Sequence, residues 1–355
     1  MNKDKKSRNV KISITISITL SIGIIVAILL LTVTDKTLDQ LSKTRIKYEF
    51  FFLAVLLNML YWVLWGARVK TLANAVDKNV KIGLWGSTKM VLANLFLACI
   101  TPSAAGGEPV RIYLLNKHGL SSGSATAVAL GERLIDAVFI LVSLPFAVLI
   151  IKKYINVDYI RVGLSVGVVF FILCIMLFAL SIKYPEKTKS VLISINMRIK
   201  RLLKRDRAGE DRIIKIINRE VDNFHNSMIL FLTTSKKSFI KASIITVFFW
   251  FTGFLIPSMI LLGLGFQPFI VESFSAQIIL LLIVMMPTTP GGAGVTELGV
   301  AGLYSLLIGS SMVGVFVLLF RLITYHMNLI AGSIFQYRIF RSITSFSLEA
   351  MDKKT

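Results

Sequence analysis

TPSAAGGEPVRIYLL at residues 101–115 and MPTTPGGAGVTELG at residues 286–299 decide how this chain folds. Setting Pro102 over Pro287 brings Gly106 over Gly291 and Gly107 over Gly292. Farther on, Arg133, Leu134 and Ile135 in GERLIDAVFI answer Arg321, Leu322 and Ile323 in LFRLITYHMN, 31 residues after Pro102 and 34 after Pro287, a slip of three. The chain therefore reads as a duplicated unit. Both copies set a proline and glycine break inside membrane-grade apolar sequence, and the second adds Pro290 and Gly294. Each break leaves backbone amides and carbonyls without helical partners, which hydrocarbon tolerates only where they are buried in protein or line a watery cavity. Matching Gly/Pro-interrupted segments in two repeats point to a transporter binding site. Short loops between helices would show the same break, but here charged residues flank both copies.

Composition supports the membrane reading. Of 355 residues, 55% are hydrophobic, and several apolar runs are long enough to span a bilayer. The net charge of +21 sits in the loops between those runs, as the positive-inside rule requires, so nucleic-acid binding is not indicated. Cys99 and Cys174 each lie in an apolar run without metal-type spacing and read as small buried hydrophobes.

Spans are expected at about residues 12–33 (a retained signal anchor), 48–66, 125–151, 162–182, 242–264 and 313–335. Tyr61, Trp62 and Trp65, with Arg68 and Lys70 beyond, mark the inner end of the second span. The apolar pieces flanking each break are too short to cross, so each break is expected to cap a hairpin, the first opening inward and the second outward. The expected architecture is an all-α polytopic integral membrane protein, about six full spans plus two re-entrant helical hairpins in an inverted repeat. The whole chain, 1–355, forms a single membrane domain. Residues 1–182 make the first half, 183–241 a basic cytoplasmic connector, and 242–341 the second half. Lys/Arg-rich and carrying apolar residues at helical spacing, the connector either lies on anionic lipid headgroups or serves only as a solvated topology signal. Both termini are expected in the cytoplasm. Gly163 and Gly167 form a GxxxG pair that allows close helix approach, including a homo-oligomer contact.

The charged residues nominate a site. Glu108 and Arg111 share a face just after the first glycine pair, where Pro109 suits a first helical turn. With exposed helix-terminal amides, Arg111 would receive a lipid phosphate. Glu132 and Asp136 share another face and are expected toward the pathway, with Arg133 turned about 100° away toward a carboxylate such as Glu108. A raised-pKa carboxylate there would be able to exchange a proton for substrate, whereas a static charge network is the structural alternative. In the second half Glu297 is expected to pair with Arg321, with Tyr325 one turn beyond; His326 reads as hydrogen-bonded structure before function.

These features resemble the flippase-like membrane domain of the lysylphosphatidylglycerol synthase family, the part of MprF-type multiple peptide resistance proteins that precedes their aminoacyltransferase domain. TPSAAGGEPVR at 101–111, GERLID at 131–136 and PTTPGGAGVTE at 287–297 carry the resemblance, over about residues 12–341. It implies a plasma-membrane lipid translocase moving a lipid such as aminoacylated phosphatidylglycerol, or another lipid-linked anion, between leaflets. Because the chain stops at Thr355, lysyltransferase activity is not expected.

No G-x-x-x-x-G-K-[ST] loop is present, so ATP hydrolysis is not built in, and no cofactor or metal is implied. Two other functions share the pattern: an ion or small-solute secondary transporter, and an intramembrane lipid-modifying transferase using Glu108 as base.

Overall fold

The computed structural model describes residues 45–77, 80–101, 106–151, 183–202, 235–284 and 291–335, with isolated positions elsewhere. Expectations that fall on Pro102, Pro287, Pro290, Cys174, the Gly163/Gly167 pair and most of the spans at 12–33 and 162–182 lie outside them.

Secondary structure is helical throughout the described residues. In chain order the helices are α1 (Tyr48–Val76), α2 (Leu84–Ile100), α3 (Gly107–Lys117), α4 (Ser122–Ile151), α5 (Pro185–Leu202), α6 (Lys236–Gly263), α7 (Ile270–Val284), α8 (Val295–Ile308) and α9 (Ser310–Phe335). Four of them, α1, α4, α6 and α9, are long and apolar enough to cross a membrane. Their outer faces carry apolar stripes in the open, such as Val138, Val142, Phe146 and Leu149 on α4, the pattern that lipid contact requires. The protein is a multi-pass membrane protein.

Helices α2, α3, α7 and α8 have 17, 11, 15 and 14 residues, each short of the roughly 20 that a bilayer needs. They pack in pairs, α2 on α3 and α7 on α8, with one break inside each pair. Two ends differ from the sequence expectation. Helix α1 runs on past Gly66 to Val76, and α7 begins at Ile270, eight residues before the apolar piece that the sequence marks from about residue 278. Buried polar residues explain both: Arg68 in α1 and Ser273, Ser275 and Gln277 in α7 lower local hydropathy without leaving the protein interior.

The central pair is α1 with α6. Lys47 N–H donates to the Gly263 carbonyl at 3.0 Å at one end, Tyr61 stacks on Phe249 midway, and Ser235 Oγ donates to the Ala75 carbonyl at the other. The two helices, which correspond in the aligned repeat, therefore run antiparallel, the relation an inverted repeat demands. Helix α2 meets α9 in the same sense: a Cβ on Gly332 would stand 2.6 Å from the Leu92 carbonyl, and Tyr325 Oη donates to the Cys99 carbonyl at 3.3 Å. One apolar cluster fills the space among α1, α2, α3, α4 and α6, and a second fills that among α1, α6, α7, α8 and α9.

The two breaks touch. Gly291 N–H donates to the Thr101 carbonyl at 3.2 Å, while Thr101 Oγ1 accepts from Gly106 N–H at 2.9 Å. Gly291, Gly292 and Gly294 take φ of 60°, 65° and 90°. A Cβ on Gly291 would lie 2.4 Å from the Cys99 carbonyl oxygen. Gly291→Ala is expected to lower the thermal midpoint of the detergent-purified chain, through left-handed strain and this clash. By contrast Gly302→Ala, a helical position with no heavy atom within 4 Å of the new methyl, should leave the midpoint unchanged or raise it.

Candidate functional site

Arg68, in the last third of α1, has 1% of its surface exposed. Its Nε donates to Glu132 Oε1 at 2.8 Å and its Nη1 to Asp136 Oδ1 at 2.5 Å, with Thr246 Oγ1 on α6 accepting at 3.2 Å. Its guanidinium lies 4.7 Å from the Phe249 ring centroid, so an aromatic face covers the side that hydrogen bonds do not use. Trp65 Nε1 also donates to Glu132, at 3.1 Å, and Trp250 Nε1 to Asp136, at 3.0 Å. Sequence reasoning placed Arg68 at the inner interface. The continuation of α1 carries it inside, opposite the i, i+4 carboxylates of α4.

Glu132 and Asp136 are thus turned into the protein toward Arg68, a correction to their expected place on the pathway. The open position belongs to Arg133, whose side chain is 44% exposed and which is ion-paired to Glu108 on α3, the partner expected for it. Its Nη1 also stands 3.5 Å from Asp136 Oδ2. The helical offset between residues 132 and 133 allows this division: adjacent positions point about 100° apart.

Arg111, fully buried on α3, completes the first network. Its Nη1 is 3.0 Å from Glu132 Oε2 and its Nη2 3.6 Å from Glu108 Oε1. These are charge contacts only, because none of Nε, Nη1 and Nη2 aims an N–H at an acceptor. Arg68, Arg111 and Arg133 stand against Glu108, Glu132 and Asp136, three cations against three carboxylates, a balanced set.

The second half repeats the motif in simpler form. Glu297, in the first turn of α8, accepts from Gly294 N–H at 2.7 Å and lies 2.9 Å from Arg321 Nε on α9, the pair expected from the sequence. Arg321 rests 4.1 Å above the Tyr325 ring, and its Nε and Nη2 lack aligned acceptors. In both halves, then, a carboxylate at the start of the hairpin's second helix pairs with an arginine on the next long helix. The Gly106 amide, at the break where a phosphate was expected, is taken by Thr101, and the Gly294 amide in the other break by Glu297. The arginine donors are the groups left open.

Next to Arg321 the helix makes one π turn, Leu322–His326. Asn58 Nδ2 on α1 donates to the Ile323 carbonyl at 2.8 Å, and His326 Nδ1 sits 3.1 Å from the Arg321 carbonyl, so His326 belongs to the turn's own bonding. A half-open cavity of about 310 Å³ lies against this turn, between α1, α6, α7, α8 and α9. The cavity wall touches the first network through Trp250, which also binds Asp136, and its Thr296 and Phe320 are chain neighbours of the second pair, Glu297 and Arg321. No group of three or more potential metal ligands exists among the described residues.

Replacing Arg68 with Ala leaves two buried carboxylates short of their cation, and is expected to destabilise the fold by about 3 to 5 kcal/mol. Arg133→Ala should cost less, because Glu108 keeps Arg111 and Asp136 keeps Arg68 as a second cation. Thermal unfolding of the two purified variants separates these outcomes.

Comparison with known proteins places the chain. The family profile described as the lysylphosphatidylglycerol synthase TM region matches residues 15–332. A UPF0104 membrane protein of Archaeoglobus fulgidus is 30% identical over 290 residues, covering 82% of this chain and 86% of that one. One from Pyrococcus horikoshii is 24% identical over 296 residues, 82% of this chain and 87% of the relative. Another, from Methanothermobacter thermautotrophicus, is 26% identical over 267 residues, 72% of this chain and 74% of the relative. No solved structure matches. Matched over most of its length, with both breaks and both charge networks inside the matched residues, this chain belongs to the lysylphosphatidylglycerol synthase transmembrane-region family.

Proposed function

We propose that the chain is a lipid translocase that passes a phosphate-bearing headgroup between leaflets past the paired breaks. One observation carries this reading: each half of the repeat whose breaks touch holds a fully or nearly fully buried arginine with unaligned donors, Arg111 in the first and Arg321 in the second. A lipid phosphate offers acceptors for those donors, and charge-assisted bonds to guanidinium are among the strong ones. Glu108, Glu132, Arg133, Asp136 and Glu297 hold the arginines in place and balance their charge when no substrate is bound. Gly106, Gly107, Gly291, Gly292 and Gly294 permit the close backbone approach. In this reading the protein sits in the plasma membrane with both termini in the cytoplasm and transports rather than modifies its lipid.

The connector supports a membrane-surface contact. Helix α5 exposes Val191, Leu192 and Ile195 along one stripe, flanked by Lys187 and Arg198. On the other side Lys189 binds Glu186 at 2.6 Å and Asp222 at 2.7 Å, and hydrogen bonding to Asp222 first, then Glu186, holds its pKa above the usual lysine value. We propose that the apolar stripe lies on anionic lipid headgroups. A fluorophore at Ile195→Cys should be quenched by brominated lipid in nanodiscs, more with phosphatidylglycerol than with phosphatidylcholine; equal, weak quenching counts against the contact.

Translocation is tested in liposomes carrying fluorescent phosphatidylglycerol, its lysyl ester or a polyprenyl phosphate. The wild-type chain should speed leaflet exchange of at least one. Arg111→Ala and Arg321→Ala variants that still elute as folded protein should lose roughly tenfold to a hundredfold of that rate, the worth of a charge-assisted bond. Exchange unaffected in both variants removes the arginines from the pathway; no exchange of any lipid shifts the reading to an ion or small-solute transporter.

A further inference from the structure

The cavity beside the π turn has a lining that says more about its occupant than the arginines do. No Asp, Glu, Lys, Arg or His is among the described residues of its walls. Its polar members are Asn58, Tyr61, Gln277, Thr296, Thr324 and Asn328, backed by the rings of Trp250 and Phe254. Several of these already spend one group on the protein. Asn58 Nδ2 donates to the Ile323 carbonyl, Asn328 Oδ1 accepts from Trp62 Nε1 at 2.7 Å, Gln277 Nε2 donates to Tyr304 Oη at 3.1 Å, and Thr324 Oγ1 donates to the Phe320 carbonyl.

Those bonds fix the orientation of each side chain and leave its other end unused. Asn58 Oδ1, Gln277 Oε1, Asn328 Nδ2, Thr296 Oγ1 and Tyr61 Oη have no hydrogen-bond partner among the described residues. The result is a preorganised ring of neutral acceptors and donors beside aromatic faces. Its volume of about 310 Å³ is at the low end for small-molecule sites, roughly 300 to 1,000 Å³, enough for a headgroup and not for a whole lipid.

We infer that this cavity seats the part of the transported lipid beyond its phosphate, and that this part is uncharged and hydroxyl-bearing, as glycerol and sugars are. The inference rests on the translocase reading and narrows its substrate. Amide and hydroxyl groups match alcohol hydroxyls in both donor and acceptor capacity. An aminoacyl ammonium in the same place would meet no carboxylate, and burying an unpaired charge is costly. A site built to bond hydroxyls also rejects analogues that lack them, because its own polar groups are then left unpaired.

The test titrates short-chain lipids into the detergent-purified full chain. Dihexanoyl phosphatidylglycerol is compared with dihexanoyl phosphatidylethanol, which keeps the charge and lacks the hydroxyls, and with the dihexanoyl lysyl ester. A short prenyl phosphate is compared with its glucosyl derivative, which separates a glycerol from a sugar source of the same chemistry. Hydroxylated lipids should bind about fivefold more tightly per hydroxyl contact than their plain counterparts. In a Tyr61→Phe, Thr296→Val double variant, two isosteric changes at hydroxyls the fold does not use, the preference should fall to within about twofold while the plain lipids bind as before. Equal affinity for the plain and hydroxylated members of both pairs, or tightest binding of the lysyl ester, overturns the inference. The two readings fail separately: lipid exchange in liposomes without hydroxyl preference sinks this one alone, and hydroxyl-selective binding without exchange of any lipid sinks translocation alone.

Discussion

Everything near the centre of this protein depends on one buried guanidinium. Arg68 joins α1 to α4 through Glu132 and Asp136 and to α6 through Thr246, so three long helices are referenced to a single side chain. A cation in that position is costly unless its donors are satisfied, and here two carboxylates, a hydroxyl and an aromatic face do so. The carboxylates are in turn held by the indole N–H groups of Trp65 and Trp250. Such a hydrogen-bonded network rigidifies what it touches. Its rigidity is useful because Glu132 also holds Arg111, the arginine whose donors remain open.

The breaks obey a different constraint. Backbone that leaves its helix inside a membrane protein has to find partners, and here each break supplies the other: Gly291 N–H to the Thr101 carbonyl, with Gly106 N–H on the Thr101 hydroxyl. Only glycine fits at residue 291, between the Cys99 carbonyl and the Tyr325 ring. The duplication seen in the sequence is therefore a physical requirement as well as a history, since one break without the other would leave the Gly291 amide and the Thr101 carbonyl without the partner each has in the other break.

The hairpins were legible because their signal is local. Proline and glycine inside apolar runs announce a break whatever surrounds it, and a carboxylate in the following turn with an arginine one helix later announces the pair, as Glu297 with Arg321 and Glu108 with Arg133 show. Arg68 was not legible as a centre, because an arginine after Trp65 and before Lys70 looks like any interfacial boundary. Its meaning comes from α4, 64 residues away along the chain. The orientation of Glu132 and Asp136 was missed for the same reason: helical spacing tells which residues share a face, and the neighbour that face meets is a tertiary fact.

The asymmetry between the halves bears on mechanism. The first half carries six charges in one balanced network, the second a single pair set beside a π turn and a neutral cavity. Repeats that serve only to build a scaffold have no reason to differ in this way. A π turn widens the helix by one residue and frees a carbonyl, which Asn58 captures at Ile323, so α9 is held in a locally altered form between Arg321 and the cavity residues Thr324 and Asn328. In the proposed lipid passage the heavily bonded half serves as the fixed reference, and the lightly bonded one, with fewer charge contacts to break, is the half that rearranges around a headgroup.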